Sequence, residues 1–575
     1  MVDVKKLVTD GSGASSSAGI ASNADHIVYI TRASLENMRA ISQQIQHALK
    51  TSTNRSQYHI YYIPFHTVIC EQILEDEHVL SYITTVGEFS IGLIPLDSDL
   101  LSLEMPDMFK QCYVDGDTAT LNVIAHSLHK MQTLYGIIPQ VKAKGAASKK
   151  ILQKMLQLRK QHQNSQNGGR NQAVGGSSSG GGSNNTRSCI DTVVVLDREV
   201  DLVTPLTTPL TYEGLIDELI GIEYGKASVD ASVIGDIADP KMNIPGVDEA
   251  NQPPPPPKPT YQPGDKVALV LNNSDPIYSD IRDVSIERLG VYMQEKAINI
   301  RRTYNSFREN KDASLQEIAD FVKKIPGITR EYKLLHTHIN VAELLKRTTD
   351  SREFRDYWQA ERGIMDGDFS SSSSGASVSL DLIEELISAD IDRLDFFHVL
   401  RLFCLQSLCS GGIRKNYDAL KKMIVQTYGY QHIFTLYNLE RSGFLRRKES
   451  KSNVGGLGSI LDSSTNSSWH LLKKNLNLIA DDADNGYEVS GFQSDIDISY
   501  VAAGYAPLSV RLVQAAAQPK GWGSRGKEVI ETMKLLPGPM VEFSQFVDTI
   551  DADLDDALAR YLYCSICIYI VCICN

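Results

Sequence analysis

The order of apolar and polar positions divides the chain into stretches of different character. His26–Ile30 (HIVYI) and Tyr58–Ile63 (YHIYYI) read as strands. Between them Leu35, Met38, Ile41, Ile45 and Leu49 fall on one helical face, and a second helix is predicted through Cys70 and Leu74. Phe89–Ile94 (FSIGLI) reads as a third strand. Strand–helix–strand order with apolar strands implies parallel pairing through helical crossovers. Leu121, Ile124, Leu128, Met131 and Leu134 mark an amphipathic helix, and Thr192–Leu196 (TVVVL) a buried strand. A turn, a helix over about 211–222 and a strand at Lys266–Leu271 (KVALVL) follow. From about Asp283 to Gly443 the pattern is almost entirely helical, most clearly at Ser285–Phe307, Leu315–Val322, Arg330–Arg347 and Leu394–Leu408. Ser499–Ala517 returns to a strand or turn followed by a helix. This order, α/β, α/β, α, then α/β, predicts a helical domain inserted into an α/β domain.

Composition adjusts the picture little. Asn164–Ser188, Pro253–Pro257 and Ser370–Ser374 are low in complexity and read as solvated loops set into surface connections. At roughly 150 residues per domain, 575 residues suggest three or four domains. A hydrophobic share of 42% permits a large core, and a net charge of -13 argues against a general nucleic-acid binder. Cys70, Cys112, Cys189, Cys404 and Cys409 read as buried free thiols of a reducing compartment. The start, MVDVKKLVTDGSG, has no apolar signal region, and no run approaches the ~18–20 apolar residues of a membrane span. The expectation is a soluble, cytosolic, multidomain protein.

The candidate chemistry is sparse. Gly521 to Lys527 fits G-x-x-x-x-G-K, but Glu528 stands where a phosphate loop needs Ser or Thr, and a helix rather than a strand is expected before it. A phosphate-loop nucleotide-binding protein is kept as the alternative of another class. Cys564, Cys567, Cys572 and Cys574 have the number of a zinc site, but the residues between them are apolar and β-branched, unsuited to a metal-wrapping loop. His126 and His129 lie on one helix and His336 and His338 on another, and they read as helix-surface histidines. No nucleophile elbow or catalytic cysteine context occurs, so no catalytic residue, metal or cofactor is assigned. Lys142, Lys144, Lys149, Lys150, Lys154, Arg159 and Lys160 form a basic stretch without an acid. It reads as a solvated helix face, with contact to an acidic partner or anionic lipid as the sharper alternative. In the segment 191–206 a buried strand ends in Asp197 and Arg198. Together with Asp201 they are placed to form a charge-assisted network fixing the turn, with Pro205 setting a rigid bend.

Several long segments carry a resemblance. They are DLLSLE (99–104), LYGIIPQ (134–140), LDREVDLVTPLTTPLTYEGLIDELIGI (196–222), LRLFCLQSLCSGG (400–412), QTYGYQHIFTLYNLE (426–440), ISYVAAGYAPLSVRLVQ (498–514) and LLPGP (535–539). Together they resemble the Sec-1/Munc-18 (SM) family, in particular its vacuolar protein sorting-associated protein 33 branch. The resemblance implies a three-domain arch of α/β plus α class, with two parallel-sheet α/β domains and a mostly helical domain inserted into the second. The expected boundaries are 1–114 for an incomplete first domain, 115–262 and 492–575 for the second, and 263–491 for the helical one. The chain departs from the family upstream of HIVYI and from about 541 onward.

The resemblance further implies a non-enzymatic chaperone of SNARE proteins within the HOPS and CORVET tethering complexes. It would dock on the solenoid of vacuolar protein sorting-associated protein 16 and sit peripherally on late endosome and vacuole or lysosome membranes. A secretory or Golgi member is the alternative within the family. A SNARE helix needs a long groove, for which the helical pair at Ser285–Phe307 and Arg330–Arg347 is the candidate. For the solenoid the candidates are Tyr428, Tyr430 and Ile433 beside Lys421, aromatics at a glycine turn.

Overall fold

The computed structural model describes residues 25–51, 56–170, 188–234, 264–309, 315–367, 383–384, 387, 395–413, 416–448, 468–479, 504–518, 522, 527–545 and 567–571. The proline and serine runs, most of the phosphate-loop-like stretch and three of the four C-terminal cysteines lie outside these residues.

The chain opens with β1 (His26–Arg32), α1 (Leu35–Thr51), β2 (Gln57–Ile63), α2 (Val68–Asp76) and β3 (Ile83–Glu88). The strands form a parallel sheet in the order β1-β2-β3. Tyr58, Ile60 and Tyr62 alternate along β2 and bury against Met38, Ile41 and Ile45 of α1 and Leu74 of α2. The third strand is therefore ITTVGE, not the expected FSIGLI. As an edge strand without a buried face it carries Thr84, Thr85 and Gly87, and its alternation is too polar to stand out. The segment 89–93 is irregular and leads to a two-stranded hairpin, β4 (Ile94–Pro95) with β5 (Leu101–Ser102).

Next come α3 (Ala119–Tyr135), β6 (Gln140–Lys144), α4 (Ala146–Arg170) and β7 (Thr192–Leu196). The long middle of the chain holds α5 (Tyr212–Leu219), β8 (Ile222–Glu223), β9 (Lys226–Asp230), α6 (Ala231–Ile234), β10 (Lys266–Val270) and α7 (Pro276–Ile281). It continues with α8 (Ile286–Glu309), α9 (Leu315–Thr349), α10 (Arg352–Asp366), α11 (Phe396–Cys409), α12 (Tyr417–Tyr428), α13 (His432–Arg441) and α14 (Ser468–Asn475). The chain then returns through α15 (Leu508–Ala517), α16 (Lys527–Leu535), β11 (Met540–Ser544) and β12 (Cys567–Val571).

The second sheet has the order β11-β6-β7-β12, with β6, β7 and β12 parallel and β11 antiparallel at the edge. Strands from both sides of the mostly helical stretch thus share one sheet, which is the predicted insertion. The cysteine-bearing run CIYIV, within the stretch that departs from the family, is a strand registered on β7. Along β7, Val193 and Val195 bury on the α3–α4 side, and Val194 and Leu196 on the side of α10, α11 and α15.

One more expectation holds and one changes. The strand at 266–270 belongs to an antiparallel meander, β10-β9-β8, whose middle strand KASVD is polar at alternate positions. The expected helices at 315–322 and 330–347 are one, α9, which runs through Pro326. Burial of Leu335, Val341 and Leu345 anchors its second half, so the loss of one backbone hydrogen bond at the proline is tolerated.

The helical stretch is joined to the turn after β7 through Glu361 of α10, which is buried. Its carboxylate accepts from Thr208 N at 2.7 Å and Thr208 Oγ1 at 2.8 Å. Arg401 of α11, paired with Glu218 of α5, also lies within electrostatic reach. Burial pushes the Glu361 carboxyl up to about 7, against the pull of the Thr208 bonds and Arg401. An unfolded glutamate titrates near 4.5, so between these values the folded state holds a proton that the unfolded state releases. Stability from this group therefore rises as pH falls from above 7 toward 4.5. Glu361→Gln keeps both Thr208 bonds, its amide oxygen facing the N–H and its amide N–H facing the hydroxyl. Thermal melts across this window are expected to lose that slope, with the variant more stable by about 1–3 kcal/mol above pH 7. A pH profile equal to the parent's would refute the assignment.

Candidate functional site

The segment singled out at the end of β7 is a knot of helix ends. Asp197, buried, accepts from Ala147 N at 2.8 Å in the first turn of α4, and from Glu199 N and the Tyr113 hydroxyl. Burial, and then the charge of Asp197, drive the Tyr113 phenol far up. Gly145, at φ +116, lets this approach happen: a Cβ there would lie 2.0 Å from Asp197 Cβ. Asp201, also buried, accepts from Thr204 N at 3.0 Å, Thr204 Oγ1 at 2.6 Å and Ser509 N at 2.7 Å, in the first turn of α15. A carboxylate at a helix start satisfies an orphan N–H and meets the positive end of the dipole. Arg198 Nη1 donates to the Asp201 backbone carbonyl at 3.3 Å. Pro205 is exposed in a 3₁₀ turn, Thr204–Leu206.

The basic stretch divides. Lys142 and Lys144 are not on a solvated helix; they are buried on β6. Lys142 Nζ donates at 2.7 Å to the carbonyl of Ala516, in the last turn of α15. Lys144 Nζ donates at 3.0 Å to Leu536 O and at 2.5 Å to Gly538 O, just past α16. Their ammonium groups close the negative ends of these helices. Open α/β sheets bind anionic ligands beyond their strand ends, against a helix start. Here the Asp197 carboxylate already occupies that position, at the start of α4, and it repels phosphate.

Two surfaces present apolar side chains instead. Gly429, at φ +112, ends α12 and turns the chain into α13. Tyr430 is 81% exposed beside exposed Ile433, Phe434, Tyr437 and Phe397. Tyr428 is partly buried, its ring 5.1 Å from that of Phe396. Lys421 Nζ lies 2.5 Å from Glu440 Oε1, which also accepts from the Tyr417 hydroxyl at 2.6 Å. Although burial opposes it, these bonds hold the Glu440 carboxyl low. Of the four residues picked for a solenoid, Tyr430 and Ile433 face outward, while Lys421 and Tyr428 tie α12 to α13 and α11. Phe434 and Tyr437 were missed, though each lies four positions beyond one of the outward pair.

The second surface is the hairpin of α8 and α9, tied by Lys296 and Glu331 at 3.1 Å. Val291 and Ile298 on α8, and Tyr332 and Ile339 on α9, are exposed and seven residues apart on each arm.

The remaining candidates settle differently. His338 is buried, not on a helix surface: Nδ1 meets the Tyr212 hydroxyl at 2.8 Å and Nε2 meets Asp275 Oδ2 at 3.0 Å. His336 pairs with Asn340 at 3.4 Å. Cys404 and Cys409 are buried and pushed far up by burial, but Cys112 is only partly buried and Cys189 is exposed. Among the described residues no group of three or more His, Cys, Asp or Glu is placed to hold a metal ion. No described helix is long and apolar enough to cross a membrane.

Residues 9–540 match the Sec1 family. Vacuolar protein-sorting-associated protein 33 homolog of Arabidopsis thaliana is 32% identical over 521 residues, 90% of this chain and 73% of that protein. Vacuolar protein sorting-associated protein 33A of Rattus norvegicus is 33% identical over 531 residues, 92% and 77% of the two. The solved Unc18-syntaxin 1 complex from Monosiga brevicollis aligns with 86% of this chain and 74% of its own at 16% identity, with a TM-score of 0.46.

Replacing Asp201 by Ala leaves the N–H groups of Thr204 and Ser509 without their acceptor. The expected loss is about 2–4 kcal/mol, read in denaturant unfolding, because buried donors lose a charged partner. A loss below about 0.5 kcal/mol would place Asp201 among ordinary surface residues.

Proposed function

This chain belongs to the Sec1 family, and we propose that it binds SNARE helices and holds them in register for membrane fusion, as a subunit of HOPS- or CORVET-type tethering complexes. The observation that carries the reading is the pair of apolar stripes on α8 and α9. Exposed side chains seven residues apart on two adjacent helices match the repeat of a coiled-coil helix laid along them. SNARE motifs are such helices. The role needs no catalysis. The vacuolar sorting relatives favour the vacuolar branch over a secretory or Golgi one. In this reading the exposed corner at Tyr430 and Ile433 docks a solenoid subunit, vacuolar protein sorting-associated protein 16. The protein then sits on late endosome and vacuole or lysosome membranes with its partners. The three units implied by the family, 1–114, 115–262 with 492–575, and 263–491, fit this arrangement.

Two substitutions separate the surfaces. Val291→Asp with Ile298→Asp is expected to weaken binding of an assembled SNARE bundle at least about tenfold in a pull-down titration, with the melting temperature unchanged. Tyr430→Asp is expected to abolish co-purification with the solenoid subunit while SNARE binding persists. Undiminished capture of the SNARE bundle or of the solenoid by the respective variant would overturn the corresponding half of the reading.

A further inference from the structure

The acidic residues number 70, yet none lies between Asp117 and Asp191. This stretch contains α3 and α4, which pack side by side on the β6–β7 face of the second sheet. The helices therefore carry positive charge on a chain whose net charge is -13. Lys150 and Lys160 are exposed and Lys154 partly so, and none of the three is paired with a carboxylate among the described residues. Lys154 lies within electrostatic reach of the exposed His126 of α3.

The same face has apolar projections. His126, Lys130 and Leu134 follow one another at four-residue spacing on the exposed stripe of α3, and Leu134 is 68% exposed. The His126 ring lies 6.2 Å from that of Phe65, which leads into the first turn of α2, where Val68 is 73% and Ile69 66% exposed. Lys130 Nζ donates to the carbonyl of Ser90, between exposed Phe89 and Ile91. Unpaired lysines interleaved with standing aliphatic side chains are the composition of surfaces that lie in a membrane interface.

We propose that the α3–α4 face, with the start of α2, docks this chain directly on an anionic bilayer: lysines meet headgroup phosphates and Val68, Ile69 and Leu134 enter the headgroup–acyl boundary. Among the described residues the cations left unbonded on this face, Lys150, Lys154 and Lys160, are point charges suited to mobile headgroups, whereas a single acidic peptide is held better by arginine forks. A free phosphate would give the apolar projections nothing to enter. This contact is additional to any attachment through partners and does not rest on SNARE binding.

The test is co-sedimentation of the full chain with phosphatidylcholine vesicles containing about 30% phosphatidylserine, in about 0.1 M KCl. Binding is expected to these vesicles and not to pure phosphatidylcholine, with release at about 0.5 M KCl. Lys150→Glu, Lys154→Glu and Lys160→Glu together should weaken binding at least about tenfold. Val68→Ser with Ile69→Ser should weaken it as well, which a purely electrostatic contact would not predict. Four results would each overturn the proposal: equal binding to neutral vesicles, no binding of the native chain to anionic ones, full binding by a triple variant whose circular dichroism is native, or binding to a polyglutamate peptide in place of vesicles. Soluble glycerophosphoserine competing at its headgroup-equivalent concentration would point to a phosphate pocket and overturn it too. Should the triple variant not fold, the headgroup and salt dependence of the native chain decides.

Discussion

The second sheet grips helices by their ends, and the rest of the molecule depends on that grip. Every helix begins with orphan N–H groups and ends with orphan carbonyls. Asp201 closes the start of α15 and Lys142 its finish; Asp197 closes the start of α4, and Lys144 takes the carbonyls beyond α16. Each charge has the sign that the helix dipole favours at that end. Burial alone would expel these ions; burial indeed lowers the Lys144 pKa. The hydrogen bonds offset that cost, so the pairing is far more expensive to break on one side than to leave intact. The grip is also where the long helical stretch leaves the sheet and comes back. Thr204, just after the exit, meets Tyr505, just before the return, at 3.1 Å.

A stretch anchored at both ends on one strand pair can be long without being loose. Glu361 adds a third point, joining α10 to the same turn through Thr208. Farther out, the Tyr212–His338–Asp275 chain sets α9 against α5 and α7. The outward stripes of the α8–α9 hairpin are therefore presented on a fixed base. The strand-end crevice, filled by a carboxylate and helix starts, has become part of the scaffold.

How much was legible in the sequence follows burial. HIVYI, YHIYYI and TVVVL declare themselves because their inward residues are large and apolar. ITTVGE does not, since an edge strand exposed on both faces tolerates Thr84 and Thr85. Lys142 and Lys144 were misread for a stronger reason. A lysine in a five-residue segment reads as solvent-facing unless one knows that a helix ends over it, and the helix ends lie 374 and 392 residues away. The register of CIYIV on β7 is equally nonlocal. Of the candidate surface, Tyr430 and Ile433 could be found because Gly429 breaks the helix beside them. Phe434 and Tyr437 hid because aromatics at helical spacing ordinarily signal a core, whereas on α13 only Leu436 is buried. Asp197 and Asp201 were noticed as charges at a strand end; that they cap two different helices required the third dimension.

The alternation along β7 shows how much one strand carries. Val193 and Val195 point to α3 and α4; Val194 and Leu196 point to the cluster that holds α11, α12 and α13. One strand thus backs the α3–α4 pair on one face and the inserted helices on the other, and the two are also joined around its end: Met108 and Cys112 pack on the α3–α4 cluster while Phe109 lies 5.7 Å from Phe444, just past α13. The same side chains that carry the core, one residue apart on a single strand, therefore tie the two halves of the molecule to each other.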